Sequence, residues 1–569
     1  MELKDILDIF HYFATEKGEY NKVCTQLDAY DSGNFWTHVK AKLPKHQMLV
    51  DTNYINYVKQ NQVNSIYSGG YIADVAPRSA EDEDLARKVN MFLEFVYDDV
   101  NLNYYQLLAG ERAALLNVGA IMIQWDSKKN KVVPRFIETA SLYLDPAVRA
   151  YQEGSALFVA EIISKRDLYR SKPEYKEKLE QNKELGQAAS TQYGRHYIGS
   201  KTPTSNDNIV YLLNAFIKND NGGIDQYVIG NENVILESKE NIKPDCFPVA
   251  VLYALPPVKD VYGFNVTKLV LRNCLALNLL DSIGVTHVYA QQRRATLMRR
   301  DIGVSVDYLS ANINNPDTTI PVDGDPTKAV HQLDLPDLPN FLVEYRARLE
   351  ESIFLISGVD PIYTGRQTNS VTTTGGVERM QQRSSLTDAT KITMLEHFTK
   401  QLTKMIFDFY VAFGDKYKVY NKAKHKALKD VFEVDFSKFR DKEVQFDFVM
   451  NASPYLPKNR VRYAEAATQI MEMQMQYQMN PPLMTPEEWL GYQDFPQKDM
   501  MLQRIEAQRL KNDTDEITEN VVNFSSLIQQ GVTPEGAVQM LADEKAMMRE
   551  NPKLGNVASG SVQAKQQGV

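Results

Sequence analysis

Cysteine is scarce. The 569 residues hold three, Cys24, Cys246 and Cys274, far apart and with no Cys-x-x-Cys pair. That excludes a disulfide framework and a cysteine-rich zinc site, and it points to a reducing compartment. Long apolar runs are missing too. A membrane helix needs ~20 consecutive apolar residues, and the best run here, residues 247–258, is short and broken by prolines. No membrane contact is therefore expected. The opening Met1-Glu2-Leu3-Lys4-Asp5 carries acids where a secretory leader carries a basic stretch, so a soluble intracellular product is expected. An excess of positive charge is absent as well. Lys and Arg number 64 against 73 Asp and Glu, a net charge of −9, which excludes a generally basic nucleic-acid coat.

Catalytic signatures are also wanting. There is no Gly-x-x-x-x-Gly-Lys-Ser/Thr phosphate loop: Gly375-Gly376 runs into Val377-Glu378. There is no Gly-x-Ser-x-Gly elbow, and the nearest fragment, Ser559-Gly560-Ser561, lies in a polar tail. None of the eight histidines pairs at His-x-x-x-His, the spacing that sets two metal ligands on one helical face. No enzyme, cofactor or metal is expected, although a site assembled from distant carboxylates would leave no such trace.

With 43% hydrophobic and 24% charged residues, the chain can bury a core, and its length implies several packed units. The class expected is α+β and helix-rich. Residues 1–60 read as helical, with Leu3, Ile6, Leu7 and Phe10 at helix spacing. Residues 85–100 and 104–116 continue that pattern. At Gly119 the period changes: residues 120–125 and 132–137 read as a strand pair, closed by a Leu144-Asp145-Pro146 turn. Further strands are expected at 156–163, 209–217 and 227–236, the last two joined by Asn219-Asp220-Asn221-Gly222-Gly223. Residues 168–205 turn from helical to polar.

A helix of ~30 residues is expected over 262–294, with Leu269, Val270, Leu277, Leu280 and Ile283 on its apolar face. Residues 295–337 carry strand-like Ile302 to Val306 and turn-rich stretches. A second helix follows to Ser357, with Phe341, Tyr345, Leu349 and Ile353 at i+4 steps. The two should form an antiparallel pair with a small cap. Residues 364–376 hold one charged side chain, Arg366, among Thr, Ser, Asn, Gln and Gly. A third long helix restarts at Val377, with Thr374 as N-cap, and runs to about residue 413. Strands follow within 416–448, then helices over 457–548 and a polar tail over 552–569 expected to be disordered.

This order of parts resembles the portal (head-to-tail connector) proteins of tailed bacteriophages. Three pieces carry the likeness: the helix from Tyr105 ending at a Gly before the Trp125 strand, with the Leu144-Asp145-Pro146 turn; then Phe247-Pro248-Val249, with Gly263 opening a long helix, a β-bearing insertion and a returning helix; then Ser357-Gly358-Val359, a polar Gly/Thr loop and a very long helix with Gln381-Gln382-Arg383. The resemblance implies a wing (1–260 and 415–456), stem helices (262–294 and 338–357), a clip (295–337), a tunnel loop (358–376), a long helix (377–414) and a helical crown (457–551). It further implies a homo-oligomeric ring, commonly of about twelve copies, at one capsid vertex. Such a ring is the channel for DNA packaging and ejection and the docking platform for terminase, neck and tail adaptors and capsid protein. The place implied is the virion, with the host cytoplasm during assembly, and no catalysis. Tunnel-loop residues implied to face DNA are Thr364, Arg366, Gln367, Thr368, Asn369, Ser370, Thr372, Thr373 and Thr374.

Several residues carry two readings. Arg293, Arg294, Arg299 and Arg300 could form a docking or DNA-facing collar at the clip, or cap a helix C-terminus and pair with carboxylates. The lysines from Lys416 to Lys429 read more readily as a solvated face than as a DNA site. Met471, Met473, Met475 and Met479 suit a subunit interface, and Trp36, Trp125 and Trp489 suit packing. The polar strip 364–376 could also be a plain surface connector. Two rivals to the portal reading stand: another virion collar or adaptor protein, and a soluble enzyme.

Overall fold

The computed structural model describes residues 1–38, 47–79, 82–181, 209–292, 296–301, 303–312, 319–332, 338–359, 374–420, 431–440, 446–450, 457–477, 483–492, 501 and 505. The chain is mixed helix and strand, helix-rich, and divides into two compact units. The first comprises Met1–Val419 with Phe432–Asn459, the second Tyr420–Val431 with Arg460–Val569.

In the first unit, helix Leu3–Glu16 buries Ile6, Phe10 and Phe13, a stripe at 3–4 residue spacing. That stripe packs edge-on against Tyr143 and Phe158. Both aromatics belong to a five-stranded antiparallel meander: Leu142–Leu144, Ala156–Ser164, Ile209–Lys218, Ile224–Gly230 and Val234–Lys239, each paired with the next. A second helix, Gly18–Asp31, begins directly after Lys17, whose ammonium is buried between the helices and the sheet.

A three-stranded sheet forms the other half of the core. Its central strand Val118–Asp126 runs antiparallel to both Lys131–Ile137 and Val249–Tyr253. Helix Leu102–Leu116 packs on it and ends at Asn117, which takes a left-handed φ of 78°. Asparagine suits that position because its amide can satisfy loose backbone groups. Here Nδ2 donates to the carbonyls of Leu255 (3.0 Å) and Tyr262 (2.9 Å), and Oδ1 accepts from the Leu255 N–H (2.8 Å). The later chain completes this core. Helix Thr374–Phe413 inserts Phe398, Leu402 and Met405 beside Val89 and Phe92 of helix Glu83–Asp99, and strand Phe446–Val449 pairs antiparallel with Asp74–Pro77.

In the second unit, helix Pro486–Tyr492 starts with a capping box: Glu488 N–H donates to Thr485 Oγ1 (3.2 Å) and Thr485 N–H to Glu488 Oε2 (2.8 Å). Trp489 Nε1 donates to Thr468 Oγ1 on helix Pro457–Tyr477 (3.2 Å). Residues 552–569 lie outside the described residues.

Three expectations are corrected. Residues 47–53 belong to no helix; Asn53 ends the segment by capping helix Tyr54–Gln62, its Oδ1 accepting from the Asn56 N–H at 2.9 Å. The strand expected over 227–236 is two strands. Asn231 and Glu232 adopt positive φ (53° and 55°) and turn the chain between Ile224–Gly230 and Val234–Lys239. Of the strand expected at 302–306, residue 302 lies outside the described residues, 303–305 form no strand, and Val306 opens helix Val306–Asn312, with Ser305 Oγ accepting from the Tyr308 N–H (3.3 Å) as its cap.

Candidate functional site

The candidate site is a pair of rods with a small knob. Helix Val266–Gln292 has 27 residues, about 40 Å at 1.5 Å per residue. Its root is seated in the C-terminal end of helix Leu102–Leu116, where the Asn117 N–H reaches Ala113 (2.9 Å) and the carbonyls beyond it run out of helical donors. Asn265 Nδ2 donates to the carbonyls of Ala113 (3.0 Å) and Ala114, and Thr267 Oγ1 donates to Leu115 (2.6 Å). Helix Phe341–Ser357 returns along it and stops at Gly358, in the left-handed region at φ 70°. The pair is antiparallel: Asn273 Nδ2 donates to Ser352 Oγ (2.9 Å), while Asp281, further along, meets Arg346, earlier on the returning helix (2.6 Å).

Arg346 is the clasp. Its guanidinium forks onto Asp281 and also reaches Glu350 (3.3 Å), and these carboxylates hold it firmly charged, above its ordinary range. Arg346→Ala is expected to lower stability by about 1–2 kcal/mol, the partly buried Asp281 losing its partner. In a double-mutant cycle of thermal melts, Asp281→Ala on that background should cost little more.

At the far end, strand Thr296–Met298 pairs antiparallel with Val330–Gln332, Leu297 opposite His331. The Arg299 N–H donates to the Ala329 carbonyl (3.2 Å) and extends this ribbon. Of the four arginines singled out, Arg293 and Arg294 lie outside the described residues. Arg299 is spent on Asp301 in a two-pronged ion pair that holds the Asp301 carboxyl below its ordinary range. Arg300 is exposed. Thr364, Arg366, Gln367, Thr368, Asn369, Ser370, Thr372 and Thr373 all lie outside the described residues. Thr374 is the first residue of helix Thr374–Phe413, so the helix starts three residues before Val377. In the basic run, Lys416 pairs with Asp435 (3.4 Å) and Glu433 (3.6 Å), and Lys418 is exposed.

The rods expose much apolar surface. The apolar face expected on the first was partly misplaced: Val270, Cys274 and Leu277 are buried, while Leu269 and Ile283 face out. Leu355 is 82% exposed, Val343 72% and Val288 57%. A groove of about 470 Å³ runs between the helices, lined by Val50, Ile283, Val285, Val288, Leu342 and Val343. Among the described residues one helix, Val266–Gln291, is long and apolar enough by length and composition to cross a membrane, and its most apolar window is 28% buried. None was expected, because the sequence holds no unbroken apolar run of that length. Asn273, Asn278, Asp281, Ser282 and Thr286 interrupt the run, and each bonds to protein.

A larger cavity, about 820 Å³, opens between the two sheets beside Trp125, Phe216 and Phe413. Its cations are engaged: Arg135 with Glu161 (2.6 Å), Lys172 and Lys239 with Glu237, and Lys243 with Asp245. It therefore offers no ready anion site. No three His, Cys, Asp or Glu side chains among the described residues are grouped to hold a metal. No family model matches the sequence, and no curated protein matches it.

Proposed function

We propose that the chain is a subunit of a non-enzymatic, portal-type ring, the channel for viral DNA and the platform for a packaging motor and neck proteins. One observation carries this reading. Two antiparallel rods, seated in the α/β core and tipped by a small β ribbon, leave Val288, Val343 and Leu355 bare. Exposed apolar residues on both members of a rigid pair call for a cover. A bilayer is the poorer cover, because one side of the first rod is occupied by hydrogen-bonded chain and an ion pair sits midway along it. A neighbouring copy is the better one, since a repeated heterologous contact between rods closes into a ring when the rotation divides a full turn.

Charge is compatible with passage rather than grip. At −9 per chain, a ring repels the polyanion from its walls, and the pairing of Arg299 with Asp301 reduces the positive character of the knob. The polar strip 364–376 stays the proposed lining, and the wing, stem, clip and crown divisions belong to the same proposal. A collar or adaptor protein of the virion is the alternative, and a central channel in the assembly separates the two.

The test is light scattering on the purified chain over a range of salt, with negative-stain imaging. Rings of about a dozen subunits with a central hole are expected. Val343→Glu with Leu355→Glu should give monomers at unchanged helix content. A wild-type chain that stays monomeric or dimeric, or rings unmoved by both changes, sinks the reading.

A further inference from the structure

Segment 47–52 lies along the first rod in a regular ladder. The Thr52 N–H donates to Asn278 Oδ1 (3.0 Å), the Val50 N–H to Ser282 Oγ (2.9 Å), and the Met48 N–H to Thr286 Oγ1 (2.9 Å). Three acceptors at i, i+4 and i+8 thus meet every second amide of a chain running the other way. The two periods match: four helical residues rise about 6 Å, and two extended residues about 6.6 Å. The hydroxyls are set up as acceptors. Ser282 Oγ gives its own proton to the Asn278 carbonyl (2.7 Å), and Thr286 Oγ1 gives its to Ser282 (2.6 Å). Each therefore turns a lone pair toward the incoming N–H.

The other side of the segment is tied to the N-terminal helices. Trp36 Nε1 donates to the Val50 carbonyl (3.1 Å), and Asn53 Nδ2 to Asp31 (2.9 Å). This bridge matters because little else holds the outer half of the rods. Among the described residues, the first rod has no buried residue beyond Ser282, and the returning rod has none before Leu349. The bridge is also weakly held. Met48 is exposed, the Met48–Thr286 rung is open to solvent, and the apolar hold is limited to Leu49, partly buried against the neighbouring core, and Val50 in the groove wall. Exposed backbone bonds with few apolar contacts are the ones that open locally, at less than the cost of global unfolding.

We propose that residues 47–52 are a releasable latch: closed, they fix the outer half of the rod pair to the N-terminal helical layer; open, they let it swing. The ladder itself reads backbone amides and so specifies the register of the strap, with Asp51 adding one side-chain contact as it accepts from Asn278 Nδ2 (3.4 Å). The proposal does not rest on the ring reading and holds for a monomer.

Residue-resolved hydrogen exchange on the full-length chain tests it. Amides 48, 50 and 52 should exchange more slowly than 49 and 51, yet well before those of the central sheet strands. Ser282→Ala should speed exchange at Val50 by about tenfold, one hydrogen bond's worth. It should also raise exchange over 285–291 and leave Phe158 and Leu213 unchanged. Thr286→Ala, at the solvent-facing rung, should do the same at Met48 without touching any buried packing. A Val50→Cys, Ser282→Cys pair, once oxidised, should slow exchange over 285–291, and reduction should restore it. Strap amides that open only with the sheet, or an outer rod indifferent to all three variants, would overturn the latch.

Discussion

Lys17→Met is expected to cost the first unit about 3 kcal/mol or more. Lys17 is 1% exposed, and no carboxylate among the described residues forms an ion pair with it. Its ammonium instead donates to the carbonyls of Thr139 (2.6 Å), Ala140 (2.9 Å) and Leu142 (2.7 Å), with the rings of Tyr143 and Tyr262 at 4.5 and 5.1 Å. Methionine fills the volume but donates nothing: the Ala140 carbonyl loses the ammonium outright, while the Thr139 carbonyl keeps only the Leu142 N–H and the Leu142 carbonyl only the longer Tyr262 hydroxyl bond (3.3 Å). Each such loss costs about 1–3 kcal/mol, and the loss of the cation above two aromatic faces adds to it.

The pH dependence identifies the cause. Burial pushes the Lys17 ammonium from its ordinary 10.5 down to about 7. Between those values the unfolded chain holds a proton that the folded chain has begun to release. Stability of the wild type should therefore rise with pH across this window, at up to roughly 1.4 kcal/mol per unit, and the penalty of burying the charge is complete below it. The methionine variant lacks that slope. Guanidinium unfolding at pH 7, 8.5 and 10 should show the gap between the two proteins widening. A constant gap would mean that the ammonium stays charged throughout in its cage.

Contacts of this kind leave little trace in a one-dimensional pattern. Lys17 sits at the joint of two amphipathic helices and looks like any solvated lysine, because its partners lie more than 120 residues away. The latch is similar. In the sequence Asn278 on its own is an interruption of an apolar helix, and only together with Ser282 and Thr286 at i+4 spacing does it mark a polar seam. The rods themselves were legible because helix periodicity is local: the expected bounds of 262–294 and 338–357 fall close to Val266–Gln292 and Phe341–Ser357. Which rod face is buried was less legible. Burial is decided by the neighbour, here helix Tyr54–Gln62 and the carbonyl end of Leu102–Leu116, which hide Val270 and Leu277 and leave Leu269 out. At the knob, the sequence from Ile302 to Val306 alternates like a strand, yet Ser305 caps a helix that opens at Val306. The mixed α+β class followed from counting long periodic segments. The knob strands are three residues each, too short for any period to declare them.

The second large effect is expected at Gly119. This glycine is the second residue of the central strand of the three-stranded sheet, opposite Leu252 and under helix Leu102–Leu116. A Cβ built there would meet the Ala109 carbonyl oxygen at 1.9 Å and its carbon at 2.6 Å. These are backbone atoms inside a helix, so no rotamer change relieves the overlap, and helix and strand must part. Ala109 and Ala113, both fully buried, are small for the same reason: the two elements approach as closely as main chains allow. Overpacking typically costs 1–3 kcal/mol; a clash with main chain on both sides belongs at or above the upper end, so Gly119→Ala should lose about 3 kcal/mol or fail to accumulate as soluble protein. What survives should carry a second defect. The displaced helix is the one whose final carbonyls receive Asn265 and Thr267, so the first rod loses its seat. Exchange over 266–277 should accelerate together with that of 109–116, while the five-stranded meander, built from separate strands around Phe158 and Leu213, keeps its protection. If Gly119→Ala melts like the wild type, the close approach of helix and strand is wrong, and with it the mechanical link from the sheet to the rods.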